Sequence, residues 1–320
     1  MSQSWETLLA GAAEQNPRSL ARLITCVENR EPGWQRAMQH VFLAGGKALV
    51  IGITGTPGAG KSTLTSSIAR HLCQHGRTVG IIAVDPSSPF SGGALLGDRI
   101  RMTDVDNAAG IFIRSMATRG ALGGLSQSAR DITRILDMAR KDVVLIETVG
   151  VGQDEIDVVR TADLVIVVCV PGQGDGLQAI KAGIMEIADV FVVNKADREG
   201  ADNVVADINA MLELAHYENG RLPPVQKTTA IDHGGVDELV EVCLSMLESG
   251  IKTKLSDEAR YTHELLSLLE GEICRRVQHY FNKSSHCSSS SIQEIVKRNV
   301  DPYTAAEAMM DEIKSFISTQ

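Results

Sequence analysis

The strongest chemical signal in this chain is Gly55-Thr56-Pro57-Gly58-Ala59-Gly60-Lys61-Ser62-Thr63. It fits G-x-x-x-x-G-K-[ST], the spacing of a phosphate-binding loop. Glycines let the backbone curl so that successive N–H groups point at one anion. Lys61 supplies a mobile positive charge for the β- and γ-phosphates, and the Ser62 hydroxyl suits a Mg²⁺ ion. The flanks agree with the motif. Ala48–Thr54 is an apolar run of strand length, and Leu64–Arg70 reads as a helix. A helix start adds its own positive dipole end.

Four further constellations suit the same chemistry. Asp85, in Val84-Asp85-Pro86-Ser87-Ser88-Pro89, ends a strand-like run and suits Mg²⁺ held through water. A turn or capping aspartate is the alternative there. Gly92–Met102 is glycine-rich and charged, as a loop that orders around a γ-phosphate would be, and offers Asp98 as a second metal ligand. Val143-Val144-Leu145-Ile146-Glu147-Thr148-Val149-Gly150 is an apolar strand ending in an acid. Glu147 would anchor the Mg²⁺ shell and the Gly150 N–H would sense the γ-phosphate. Gln153 and Asp154 follow, where they could orient an attacking water.

The fourth, Asn194-Lys195-Ala196-Asp197, is N-K-x-D at a strand end. A carboxylate accepts from both N1–H and N2–H₂ of guanine, and adenine lacks that donor pair. Asp197 therefore selects GTP by leaving a mismatched base with unpaired groups. Lys195 would lie along the base. Thr228-Thr229-Ala230 fits the loop whose backbone N–H meets guanine O6. Hydrolysis of GTP to GDP and phosphate, with Mg²⁺, is the expected reaction.

Positioning these groups needs a scaffold with its strand ends on one edge. The runs Ala48–Thr54, Thr78–Val84, Gly110–Ile113, Val143–Ile146, Leu164–Val170, Val190–Val193 and Val225–Thr229 are nearly continuous in Val, Ile and Leu. They alternate with helical patterns. That predicts an α/β fold, a doubly wound and largely parallel sheet covered on both faces. Residues 1–45 read as a helical N-terminal extension, with Leu20, Leu23, Ile24 and Val27 on one face. Residues 46–250 form the nucleotide domain. Residues 251–320 change character. Leu265, Leu269, Ile273, Val277 and Phe281 recur every four residues. A Ser-rich break over 282–291 separates them from Ala306, Met309, Met310, Ile313 and Ile317. Those stripes cover either their own core or a partner subunit.

Composition bounds the rest. A net charge of −9 over 320 residues argues against nucleic-acid binding held by backbone electrostatics. Cysteines at 26, 73, 169, 243, 274 and 287 show neither C-x-x-C nor zinc spacing, so free thiols in a reducing compartment are expected. The N-terminus lacks a signal-peptide pattern, and no stretch approaches the ~20 apolar residues of a membrane span. A cytoplasmic protein without a membrane partner is the expectation.

Taken together, the motifs at 55–62, 84–89, 96–102, 114–120, 147–153 and 194–197 resemble the metallochaperone-type P-loop GTPases associated with methylmalonyl-CoA mutase, a family that carries Glu where most small GTPases carry Asp. The resemblance spans nearly the whole chain and reaches a bacterial protein long labelled an arginine/ornithine transport-system kinase. It implies a chaperone that gates cofactor loading of the adenosylcobalamin-dependent mutase and protects it. It implies slow hydrolysis stimulated by the mutase, a homodimer formed through the helical extension after 251, and a third switch over 171–181. Two other functions compete. A kinase serving periplasmic arginine/ornithine transport would need a kinase catalytic loop, which is absent, and a cytoplasmic chain does not readily meet a periplasmic substrate. A scaffold that uses GTP only for folding would show no response of the 92–102 loop to GTP over GDP.

Overall fold

The computed structural model describes residues 4–85, 110–117, 124–148, 161–172, 187–214, 222–249, 257–283 and 292–318. Among them are seven strands: β1 (Leu49–Gly55), β2 (Val79–Asp85), β3 (Ile111–Ala117), β4 (Val143–Thr148), β5 (Leu164–Cys169), β6 (Val190–Asn194) and β7 (Val225–Thr228). Their order across the sheet is β3-β2-β4-β1-β5-β6-β7, and every pairing is parallel. The sheet expected to be largely parallel is wholly so among these strands. Every residue of β4, β5 and β6 is buried, which explains why those segments read as unbroken apolar runs.

Consecutive residues of each strand feed opposite layers. Val50, Val144, Ile146, Val165 and Val167 face one core; Ile51, Ile53, Leu145, Ile166 and Val168 face the other. The first core is closed by α1 (Trp5–Ala13), α2 (Pro17–Glu28), α3 (Trp34–Ala44), α5 (Gly124–Met138) and α6 (Ala201–Leu214). The second is closed by α4 (Lys61–Gln74) and α7 (Val236–Glu248). Leu20, Leu23, Ile24 and Val27 of α2 are all buried in the first core, so the N-terminal helices pack onto the sheet. Asn16 starts α2 by accepting from the N–H groups of Arg18 (3.0 Å) and Ser19 (3.1 Å), with Pro17 at the first helical position.

The edge of the sheet away from the strand C-termini is pinned by carboxylates. Asp142, Asp163 and Asp189 each stand one residue before β4, β5 and β6. Each accepts an N–H at the start of a neighbouring segment: Thr78 to Asp142 at 2.6 Å, Val50 to Asp163 at 2.9 Å, and Val165 to Asp189 at 2.8 Å. Asp137 takes the N–H groups of Lys47 (3.0 Å) and Ala48 (2.8 Å) at the entry to β1. These bonds set strand stagger at one edge and so align the opposite ends, where the chemistry lies.

The chain divides into two compact units, residues 1–256 and 257–320. The second contains α8 (Asp257–Lys283) and α9 (Pro302–Ser318). Tyr280 of α8 and Ala305 and Ile313 of α9 are buried. On α9 Ile313 is buried as its stripe predicts, whereas Ala306, expected on the same face, is exposed and Ala305 is buried in its place. On α8, Leu265, Leu269 and Ile273 are 58%, 51% and 55% exposed.

Candidate functional site

The phosphate-loop sequence runs from the end of β1 into α4, as its flanks predicted. Two glycines show why the motif needs them. Gly55 adopts φ +139°, and a Cβ there would stand 2.1 Å from the Val168 carbonyl oxygen of β5. Gly60 adopts φ +86°, and its Cβ would meet the Asn194 amide at 2.6 Å. The loop is therefore pressed against β5 at its head and against the end of β6 at its foot. α4 begins directly after Gly60 with no side chain capping it. A helix start of this kind presents a positive end that suits an anion.

Lys61 is buried at 5% exposure, and its ammonium donates to the carbonyls of Gly55 (2.8 Å) and Thr56 (3.0 Å). The charge is parked on the head of the loop, within the curl a phosphate would enter. Ser62 donates its hydroxyl to Glu147 Oε1 at 2.5 Å. Glu147 lies at the end of β4, 5% exposed, with its backbone in register with Ile53 of β1. The strand order β4-β1 brings together residues 85 positions apart. Behind them the hydroxyls of Thr54 and Thr148, both fully buried, lie 3.1 Å apart. Pro57, Gly58 and Thr63 face solvent, while Ala59 is buried.

Asn194 is the hub of the opposite side. Its amide donates to the Ala59 carbonyl at 2.8 Å. Its Oδ1 accepts from the Thr228 hydroxyl at 3.1 Å and the Ala230 N–H at 3.2 Å. Lys195, at φ +57°, donates to the Gly58 carbonyl at 2.8 Å. The Ser67 hydroxyl of α4 donates to the Ala230 carbonyl at 2.7 Å. One buried amide therefore joins the phosphate loop, the N-K-x-D segment and the loop after β7. Asp197, three residues after Asn194, is exposed. The Thr229 N–H bonds the Gly234 carbonyl at 2.8 Å, so it and the Ala230 N–H are both engaged within the chain. Sequence reasoning did not reach Ser67, because a serine on a helix carries no signal of its own. Nor did it reach Asn194's role as a brace between loops, although the N-K-x-D match contained it.

Asp85 closes β2 opposite Ala117 of β3, at the same strand-end edge. β4 stands between β2 and β1, so Asp85 is not on the strand next to the glycine loop. Asp98, Gly150, Gln153, Asp154, the 92–102 loop and residues 173–181 lie outside the described residues. Cys169 and Cys243 are buried, and burial pushes both thiols up to about 12, which leaves them unreactive neutral groups.

A parallel sheet with a glycine loop after its central strand, an acid at the next strand's end and a loop-bracing asparagine defines a P-loop nucleoside-triphosphate hydrolase. Within that class the chain belongs to the family described as Methylmalonyl Co-A mutase-associated GTPase MeaB, whose pattern residues 20–282 match. A protein of Pyrococcus abyssi designated a GTPase is 44% identical over 302 residues, covering 92% of this chain and 93% of its own. GTPase ArgK of Escherichia coli is 41% identical over 69% of each chain. The fused isobutyryl-CoA mutase of Cupriavidus metallidurans is 39% identical over 208 residues, 63% of this chain and 18% of that protein. Among solved structures, an LAO/AO transport system kinase superposes with a TM-score of 0.68 at 26% identity over 99% of both chains. HypB from Helicobacter pylori, at 15% identity and TM-score 0.50 over 69% of this chain and 96% of its own, shares the fold.

Proposed function

We propose that this protein is a cytoplasmic GTP-hydrolysing chaperone of an adenosylcobalamin-dependent acyl-CoA mutase, methylmalonyl-CoA mutase in the first instance. The observation that supports the GTP reading is the junction around Asn194, whose amide bonds the phosphate loop and which stands three residues before the exposed Asp197. The mutase reading is supported by the family match and by a relative in which a homologous segment is part of a mutase polypeptide.

The chain's own groups divide the work. The start of α4 and the loop backbone bind phosphates, and the Lys61 ammonium exchanges two carbonyls for phosphoryl oxygens. Asp197 reads the base, and Lys195 and Asn194 hold the reading loop against the phosphate loop. Ser62 and Glu147 fit a Mg²⁺ ion: two hard oxygen donors converge where α4 begins. Bound there, the ion would neutralise charge on the β- and γ-phosphates. In this reading Asp85 and Asp98 join its shell, Gly150 contacts the γ-phosphate and Gln153 orients the water.

The test is GTP turnover with and without purified methylmalonyl-CoA mutase, together with retention of adenosylcobalamin by the mutase. Stimulated turnover and GTP-dependent loading are expected. Indifference of both to the mutase removes the partner assignment and leaves the GTPase. The transport-kinase name of the superposable structure favours a second reading, phosphoryl transfer to a protein. Label from γ-³²P-GTP appearing on a solute-binding protein, rather than in free phosphate, would select it.

A further inference from the structure

Thr56 is the first residue of the phosphate loop after Gly55, and its hydroxyl is unexplained. The residue is 6% exposed, and Oγ1 is buried with no hydrogen-bond partner. An orphaned buried hydroxyl forfeits about 1–3 kcal/mol relative to a satisfied one and calls for a reason. The Thr56 carbonyl is fully used: it accepts from the Lys61 ammonium at 3.0 Å and from the Ala59 N–H at 3.1 Å. The residue cannot drift, because Gly55 before it is packed against the Val168 carbonyl. Only rotation about χ1 remains to aim the hydroxyl.

The position fixes which part of a nucleotide the hydroxyl meets. The Lys61 ammonium reaches the β- and γ-phosphates in this motif, and it is parked on the Gly55 and Thr56 carbonyls. The head of the loop therefore faces the terminal end of the phosphate chain, and its foot, at Gly60, faces the start of α4. We propose that the Thr56 hydroxyl donates to the terminal phosphate of a bound triphosphate, making Thr56 a residue that discriminates triphosphate from diphosphate. The inference rests on the nucleotide-hydrolase reading of the site and adds a substrate contact to it. It explains why a polar side chain is left unsatisfied: the partner arrives with the substrate and leaves with the released phosphate.

Thr65 supplies an internal control. It too is buried, with an orphaned hydroxyl, but it lies one turn inside α4 beyond the loop. Thr56→Val and Thr65→Val each replace a hydroxyl by a methyl of similar shape and remove no bond. Both should leave the melting temperature of the nucleotide-free protein unchanged or raised. Titration with GDP and with GppNHp then separates them. Thr56→Val is expected to weaken GppNHp about five- to tenfold with GDP unchanged, the loss of one hydrogen bond. Thr56→Ser should restore the ratio, and Thr65→Val should leave it at the wild-type value.

Three outcomes overturn the proposal: an unchanged ratio in Thr56→Val, an equal loss for both nucleotides, or a lowered melting temperature showing that the hydroxyl is already partnered in the free protein. Failure of the wild-type protein to bind GppNHp or an ATP analogue would strike the hydrolase reading itself, and so is distinguishable from failure of this contact.

Discussion

Lys61 shows how a loop holds a single buried charge. A buried ammonium costs several kcal/mol unless neighbours compensate, and here two loop carbonyls do so. Its substitution by alanine leaves those carbonyls facing a small void and removes the counter-charge to the transferred phosphoryl group. Lys61→Ala should therefore lower turnover by roughly a thousandfold or more while circular dichroism shows the fold intact. Wild-type-like phosphate release in that variant would remove the phosphate-loop assignment. Asp197 makes a second residue-scale prediction. Asp197→Asn replaces an acceptor by an amide donor, which opposes the N2–H₂ of guanine but suits the carbonyl of xanthine. Competition binding should shift preference from GTP toward XTP by about tenfold or more, given about 1–3 kcal/mol per mismatched buried contact. A variant that still prefers GTP would show that the base is read elsewhere.

At the scale of elements, the site depends on strands held in stagger by aspartates at the far edge. Asp142 is the clearest case. Burial pushes its carboxyl up, but hydrogen bonds from the Thr78 N–H and hydroxyl, with the charges of Arg77 and Lys141, outweigh this and hold it below the usual aspartate range. A folded value below the unfolded one means that the carboxylate contributes stability above about pH 4, lost as pH falls through the folded value. Asp142→Asn should lower stability at neutral pH and flatten the acid limb of unfolding. Chemical denaturation between pH 3 and pH 7 measures this, and an acid limb as steep as that of wild type would show that Asp142 is not its source. Its distance from the loops predicts that nucleotide affinity is little changed at neutral pH.

At the scale of the whole molecule, the apolar stripe of α8 calls for a cover. Leu265, Leu269 and Ile273 are more than half exposed on a helix that belongs to its own compact unit. Apolar stripes of this kind mark interaction surfaces. In the homodimer that the family resemblance implies, a second copy would cover them. A truncation at residue 256 should run as a monomer by light scattering where the full chain runs as a dimer, and should keep nucleotide affinity, since the phosphate-loop and N-K-x-D segments lie in residues 1–256. A full-length monomer would assign the stripe to another protein.

Much of this was legible in the linear sequence because it is local. The glycine loop announces itself in nine consecutive residues, and the strands do so because residues buried on both faces admit little but Val, Ile and Leu. The periodicity of α2, α8 and α9 likewise follows from one-dimensional spacing, though in α9 Ala305 is buried in place of Ala306 while Ile313 is buried as expected. What the tertiary structure alone decided is long-range. Only the order β4-β1 sets Glu147 against Ser62, and only the packing of β6 beside the loop shows that Asn194 ties the phosphate loop to the loop after β7. The orphaned hydroxyl of Thr56 is of the same kind: a threonine in a motif position has no visible partner count until the fold shows who surrounds it. Propensity and pattern act between near neighbours, whereas hydrogen-bond satisfaction depends on which distant segments the sheet brings together.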